Sequence, residues 1–238
     1  MEVIKGKGGI TLPVKDVLKY VFFVLFLAAS AVHLWDSWRD NGNRRKITKP
    51  MLLLTLLAFY CCATDQFSWV LAAALLTSWL GDVLLMPSGT KWFVMGGISF
   101  LISHLLFIFV YLPQVVWASV IWWIIVPAAI LYYGISVKVT LAVKNNMESK
   151  AMLAPMILYL LINSTMNLFA MSQLMSLKNA GAIVAYLGAV LFFLSDCTLY
   201  LVRYHSNKDL IFKKHFTVMF TYILGECLIT VGMLMVNG

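Results

Sequence analysis

Charge is what this chain has least of. Asp, Glu, Lys and Arg together make up 12% of its 238 residues, whereas 62% are hydrophobic. A soluble domain of this length would carry about twice that charged share to cover its core with a wettable surface. A water-soluble globule is therefore excluded. Cysteine is scarce too: Cys61, Cys62, Cys197 and Cys227 lie in or at the ends of apolar stretches, with no CxxC and no zinc spacing. That argues against a disulfide framework, and packing is the simplest role for each thiol. HxxxH and HExxH are also missing, so no metal is expected. Strict apolar/polar alternation does not occur, and with it goes the signature of a membrane β-barrel.

What the chain does have is apolar blocks. A helix needs about 20 such residues to cross a bilayer, and in hydrocarbon the backbone must satisfy its own hydrogen bonds. The blocks predict eight helices, over residues 17–35, 48–63, 67–86, 92–112, 115–134, 151–177, 180–202 and 216–236, the second of them short. Turn chemistry marks the joints, as in Asp40-Asn41-Gly42-Asn43, Pro87-Ser88-Gly89, Leu112-Pro113, Lys144-Asn145-Asn146, Lys178-Asn179 and Ser206-Asn207-Lys208-Asp209. Linkers this short leave no room for a soluble domain. Residues 1–238 read as one all-α integral membrane domain, a bundle of about eight helices. Residues 1–16 are polar, and the run after them ends in His33-Leu34-Trp35-Asp36 without a small-residue cleavage pattern, so they are not expected to be a cleavable signal.

The net charge of +8 is uneven. The first, third, fifth and seventh connections carry Arg39, Arg44, Arg45, Lys46 and Lys49, then Lys91, then Lys138, Lys144 and Lys150, then Arg203, Lys208, Lys213 and Lys214. The opposite side has Lys5, Lys7, Lys15, Lys19 and Lys178. The positive-inside rule puts the odd connections in the cytoplasm and both termini outside. Anionic lipid heads are the expected partners of these charges, and no soluble basic domain exists to hold nucleic acid. The expected location is the inner membrane in a prokaryote and the endoplasmic reticulum in a eukaryote. His33, His205 and His215, near the ends of spans, are expected to face solvent or lipid heads.

Ionisable residues within spans are costly and mark partners or cavities. Four stand out: Asp82, His104, Asp196 and Glu226. Asp82 and Asp196 each follow a small residue near the end of the third and seventh spans. These are equivalent places if the bundle has two four-helix halves, and the two Asp residues could meet across a pseudo-symmetric core. His104 shares a face with Tyr111, seven residues on, and with Gly96 and Gly97, which would admit another backbone. Tyr159, Asn163 and Asn167 form a polar stripe at spacing four, as do Tyr222, Glu226 and Thr230. The simplest arrangement gathers these faces around one interior cavity. Each residue also has a plainer reading: an Asp bonded to a neighbouring Ser, Tyr or Asn, and the Asn stripe as helix glue.

At this point the residues resemble the YhhN family of multi-pass proteins, which includes the lysoplasmalogenases. The ordered set is Ile47-Thr48-Lys49-Pro50, Gly81-Asp82-x-x-Leu85, Gly96-Gly97…Phe100-x-x-Ser103-His104-x-x-Phe107, Phe192-Phe193…Ser195-Asp196 and Thr221-Tyr222. One departure is Gly225-Glu226, where the family usually has a small Ala and then Gln. The resemblance implies hydrolysis of the vinyl ether of a lysoplasmalogen, releasing a fatty aldehyde and glycerophospho-ethanolamine or -choline. It implies Asp82 and Asp196 as the acid/base pair. His104, Tyr111, Asn163, Asn167, Tyr222, Glu226 and Lys49 would orient the pair, the water or the lysophospholipid, which enters sideways from the bilayer. No cofactor is implied. Vinyl ether hydrolysis passes through an oxocarbenium ion, as glycosidases do, and two carboxyls in one low-dielectric cavity can divide the work, one protonated and one ionised. A proton-coupled transporter would also use buried carboxyls, and a lipid-binding protein could keep the fold without the chemistry. Against transport, no Gly/Pro-broken span recurs in both halves.

Overall fold

A computed structural model describes residues 14–238. The segment 1–13, with Lys5 and Lys7, lies outside the described residues. Eight α-helices follow one another: α1 Val14–Trp38, α2 Gly42–Ala63, α3 Trp69–Leu84, α4 Thr90–Tyr111, α5 Trp122–Val143, α6 Leu153–Leu177, α7 Ala180–Tyr204 and α8 His215–Asn237. Seven are long and apolar enough to cross a membrane, and α3, at 16 residues, is the short one. Consecutive helices pack as hairpins, α7 on α8 most extensively, then α1 on α2 and α3 on α4, while α4 also packs on α6. The outer surface is studded with exposed Val24, Phe109, Ile130, Leu131 and Leu187. In water so much apolar surface would be a liability, and in lipid it is the expected face.

Helix ends follow the turn residues. Asn41 caps α2 by accepting from the Arg44 amide, Ser68 caps α3 by accepting from Leu71, and Asn179 caps α7 by accepting from Ala182 at 2.8 Å. Lys178 ends α6 in the left-handed conformation, with φ 52°.

Three expectations change. The fifth span, expected over 115–134, begins at Trp122 and runs to Val143. Between Leu112 and Ser119 the chain makes two short 3-10 turns, and the Val116 amide donates to the Ser176 hydroxyl at 2.9 Å. Pro113 breaks the helix, and the apolar residues after it look helical only by hydropathy. Trp122 and Trp123, exposed at the start of α5, fall where an interfacial belt belongs. Lys138 then rides on a helix rather than in a connection. The second helix starts at Gly42, earlier than expected, and so carries Arg44, Arg45, Lys46 and Lys49 on its first turns. His33 is not at the surface: it is 1% exposed and its Nδ1 lies 2.7 Å from the Thr48 hydroxyl. Ser30, His33 and Ser37 share one face of α1, and α2 covers that face.

The tightest seam joins α7 and α8. A β-carbon on Gly232 would come within 2.4 Å of the Ala185 nitrogen, and one on Gly188 within 2.6 Å of the Ile229 nitrogen. Backbones meet here as they do at small-residue interfaces in membranes. This contact holds α8, with Tyr222 and Glu226, beside α7, with Asp196. The Gly96 expectation stands, since a β-carbon there would lie 3.2 Å from the Gly81 carbonyl, whereas at Gly97 nothing lies within 4 Å. We expect Gly232→Ala to lower thermal stability in detergent by about 1–3 kcal/mol. Gly134→Ala, which meets nothing within 4 Å, should be neutral or stabilising by up to ~1 kcal/mol. Thermal unfolding of both variants checks this.

Candidate active site

Asp82 sits near the C-terminal end of α3 and is 1% exposed. Gly81 before it leaves room for the Phe100 ring, which lies 2.6 Å from where a β-carbon would stand, so α4 closes on α3. A carboxylate cannot be buried there alone. Lys49 Nζ lies 3.1 Å from Asp82 Oδ1, and the Tyr222 hydroxyl donates to Oδ2 at 2.8 Å. The pair depends on the early start of α2, which puts Lys49 about 10 Å into the helix at 1.5 Å per residue.

Asp196, on α7, has a different set of partners, all on one oxygen. Its Oδ2 accepts from the Tyr159 hydroxyl at 2.7 Å and from the Asn163 amide at 2.7 Å. Asn167 fixes that amide's direction by donating to the Asn163 side-chain oxygen at 3.2 Å and to its backbone carbonyl at 3.1 Å. The polar stripe of α6 thus acts as a unit aimed at Asp196. His104 Nε2 lies 3.1 Å from the same Oδ2, off the line of a straight hydrogen bond. Its Nδ1 is 2.5 Å from the Phe100 carbonyl. A carbonyl only accepts, so Nδ1 carries a hydrogen and Nε2 faces the carboxyl. The Nε2–Oδ2 approach is attractive only if a proton sits on one of the two, as imidazolium against carboxylate or as carboxylic acid against imidazole. Oδ1 of Asp196 makes no hydrogen bond among the described residues, and the residue keeps 5% exposure.

The two carboxyls are not hydrogen-bonded to each other. Phe192 stands between their supporting residues, its ring 4.7 Å from His104 and 5.4 Å from Tyr222, centre to centre. Phe100 packs edge-on against both Phe192 and Tyr222. Around this wall lie polar atoms with no hydrogen-bond partner among the described residues: Tyr111 Oη, Asn167 Oδ1 and both oxygens of Glu226, which neighbours the Ser78 hydroxyl without a well-formed hydrogen bond. Buried polar atoms left unpaired by protein are where water or a polar substrate group belongs.

An apolar groove of about 410 Å³ runs along α4 and α6, lined by Phe93, Gly97, Met147, Met152, Tyr159 and Tyr200 among others. It opens beside Ile98 and Leu158, which are half exposed on the lipid-facing surface. Tyr159 belongs to both places, lining the groove and bonding Asp196. Gly97 lines the groove, and a β-carbon there would meet nothing within 4 Å.

Of the residues singled out in the sequence, Lys49, Asp82 and Tyr222 form one set and His104, Asn163, Asn167 and Asp196 another. Tyr111 and Glu226 are fully buried but join neither by a hydrogen bond. Tyr159 was visible only as part of a stripe; its spacing of four to Asn163 was the signal of its place on Asp196. His205 is half buried and His215 exposed, both at the membrane edge. The four cysteines are free thiols.

The helical bundle, with two separately supported carboxyls beside an apolar groove, is that of a multi-pass membrane protein. The chain belongs to the YhhN family, whose model matches residues 44–233. Helix α1 lies outside that match. No curated protein and no solved structure matches the chain. Membership supports a hydrolase reading in coarse outline.

Removing Lys49 would leave Asp82 as an unpaired buried charge. Lys49→Met should therefore destabilise the fold by about 3 kcal/mol, and adding Asp82→Asn should recover most of that loss. A double-mutant cycle of thermal unfolding in detergent measures the coupling.

Proposed function

We propose that the protein hydrolyses the vinyl ether of a lysoplasmalogen to a fatty aldehyde and a glycerophospho-alcohol, with Asp196 and His104 as the proton donor. The observation that carries this reading is the 3.1 Å approach of His104 Nε2 to Asp196 Oδ2, with Nδ1 turned to the Phe100 carbonyl, next to an apolar groove that shares Tyr159 with this cluster. Asp82, opposite Lys49, is the ionised partner.

The chemistry runs in three steps. The Asp196/His104 proton passes to the β-carbon of the enol ether, consuming its π bond and leaving an oxocarbenium ion on the α-carbon and ether oxygen. Asp82, held as an anion by Lys49 and Tyr222, stabilises that cation through a medium of low dielectric. Water then adds to the α-carbon, and its proton returns to the carboxyl pair, which is thereby reset. The hemiacetal finally loses the glyceryl oxygen as an alcohol while its hydroxyl proton is transferred, and the aldehyde is formed. One water is consumed and no net proton. Asn167, Tyr111 and Glu226 offer unpaired polar atoms to hold the attacking water. Tyr159 and Asn163 hold Asp196 by Oδ2 and leave Oδ1 free of both bonds.

Two measurements test this. Purified protein given lysoplasmalogen in D₂O should release aldehyde bearing one deuterium on the carbon next to the carbonyl, read by mass spectrometry. Aldehyde without that label would rule out carbon protonation, and absence of aldehyde would move the weight to transport or lipid binding. Asp82→Asn and Asp196→Asn should each cut turnover by about 10²–10⁴-fold, the usual range for a general acid or base. Both variants should elute as folded protein; full activity in either removes that residue from the mechanism.

A further inference from the structure

The reading above leaves open how the polar end of a lipid is recognised, and α7 supplies an answer. Arg203 lies seven residues beyond Asp196, two turns along the same face and about 10 Å further toward the connecting loops at 1.5 Å per residue. Tyr200, between them on that face, lines the groove. The Arg203 guanidinium lies 4.0 Å from the centre of the Phe93 ring, itself a groove wall. Arg203 Nε also donates to the Tyr204 hydroxyl at 2.9 Å. Arg203 thus stands against the Phe93 wall at the loop end of the groove, with Tyr159 joining the inner end to the Asp196 cluster.

What Arg203 touches now is weakly held. Its Nη2 approaches Glu148 Oε1 at 3.5 Å, long for a guanidinium–carboxylate contact and far from a two-pronged one. The Glu148 side chain is 50% exposed, and its other oxygen takes the Thr90 hydroxyl. Glu148 belongs to the connection between α5 and α6, which also brings Met147 and Met152 to the groove. Exposed pairs of this kind contribute little, so an anion of better geometry can displace the carboxylate.

We propose that Arg203 binds the phosphodiester of a single-chain phospholipid lying in the groove, and that Glu148 occupies the guanidinium until that phosphate arrives. This rests on the hydrolase reading only in placing the scissile bond near Asp196. The planar guanidinium matches phosphate oxygens two at a time, and stacking on Phe93 holds it in one orientation. A glycerol unit is short enough to bring the sn-1 ether from a phosphate at Arg203 toward Asp196. At about 410 Å³ the groove has room for the glycerol unit and part of one chain, which favours a single-chain over a two-chain phospholipid.

The test compares a lysoplasmalogen with the matching 1-alkenylglycerol, which has the same chain and vinyl ether but no phosphate. Arg203→Gln should raise KM for the lysoplasmalogen by about ten- to a hundredfold, the cost of a lost charge-assisted hydrogen bond, with little change in kcat. The same variant should leave the alkenylglycerol unaffected, and Arg203→Lys should recover part of the loss. Glu148→Gln should lower KM for the phospholipid by a few fold, since it removes a competing carboxylate. An equal loss on both substrates would make Arg203 a staple of the α5–α6 connection, and no loss on either would remove it from recognition; each overturns the proposal. A second arm is independent of turnover. Binding of an ester lysophosphatidylcholine and of a monoacylglycerol in nanodiscs, followed by native mass spectrometry, should show Arg203→Gln weakening only the former. Should turnover be absent while binding discriminates, the phosphate site stands and the hydrolase reading falls. Should turnover proceed while neither arm discriminates, the reverse holds.

Discussion

A carboxylate surrounded by hydrocarbon has no solvent to lean on, and the structure is organised by that constraint. Asp82 is satisfied by a lysine from α2 and a tyrosine from α8. Asp196 is satisfied by two residues of α6 and approached by a histidine of α4. Between them the two side chains tie α2, α3, α4, α6, α7 and α8 to one interior. Neither set of partners would reach its target without close backbones, which the glycine seam of α7 and α8 and the Gly81–Phe100 contact provide. Packing in lipid gains little from hydrophobic burial, so polar ties and small residues determine the arrangement.

The two carboxyls differ in what they are given. A lysine beside Asp82 compensates a full negative charge. Beside Asp196 stand a phenol, an amide and an imidazole whose far nitrogen is committed to a carbonyl. One fold therefore holds two carboxyls in different surroundings, with the Phe192 ring between their supporting residues. In the proposed hydrolysis that difference assigns one carboxyl to proton donation and the other to stabilising the cation.

Much of this was legible in the residues because polar side chains stand out in apolar runs. Asp82, His104, Asn163, Asp196 and Tyr222 could be picked out by position alone, and the spacing of four on α6 already aligned Tyr159 with Asn163. Other features were hidden for physical reasons. Residues 115–121 are as apolar as a helix, so hydropathy could not reveal that the chain turns there. His33 sits where a span is ending, and only the packing of α2 over α1 shows that it is buried. Lys49 looked like a loop charge until the start of α2 moved to Gly42. Arg203 and Glu148 carry no signal at all, since charges at a membrane edge are the default.

The shortness of α3 has an effect beyond the protein itself. Its 16 residues give a rod of about 24 Å, against about 30 Å of hydrocarbon, and Trp69, Leu76 and Leu80 present it to lipid. Acyl chains bordering this helix must therefore dip, or the helix must leave polar ends uncovered, and either costs free energy that grows with membrane thickness. The strain is concentrated at one edge of the bundle and is least in the thinnest bilayers. Bilayer thickness thereby bears on the stability of this edge of the bundle.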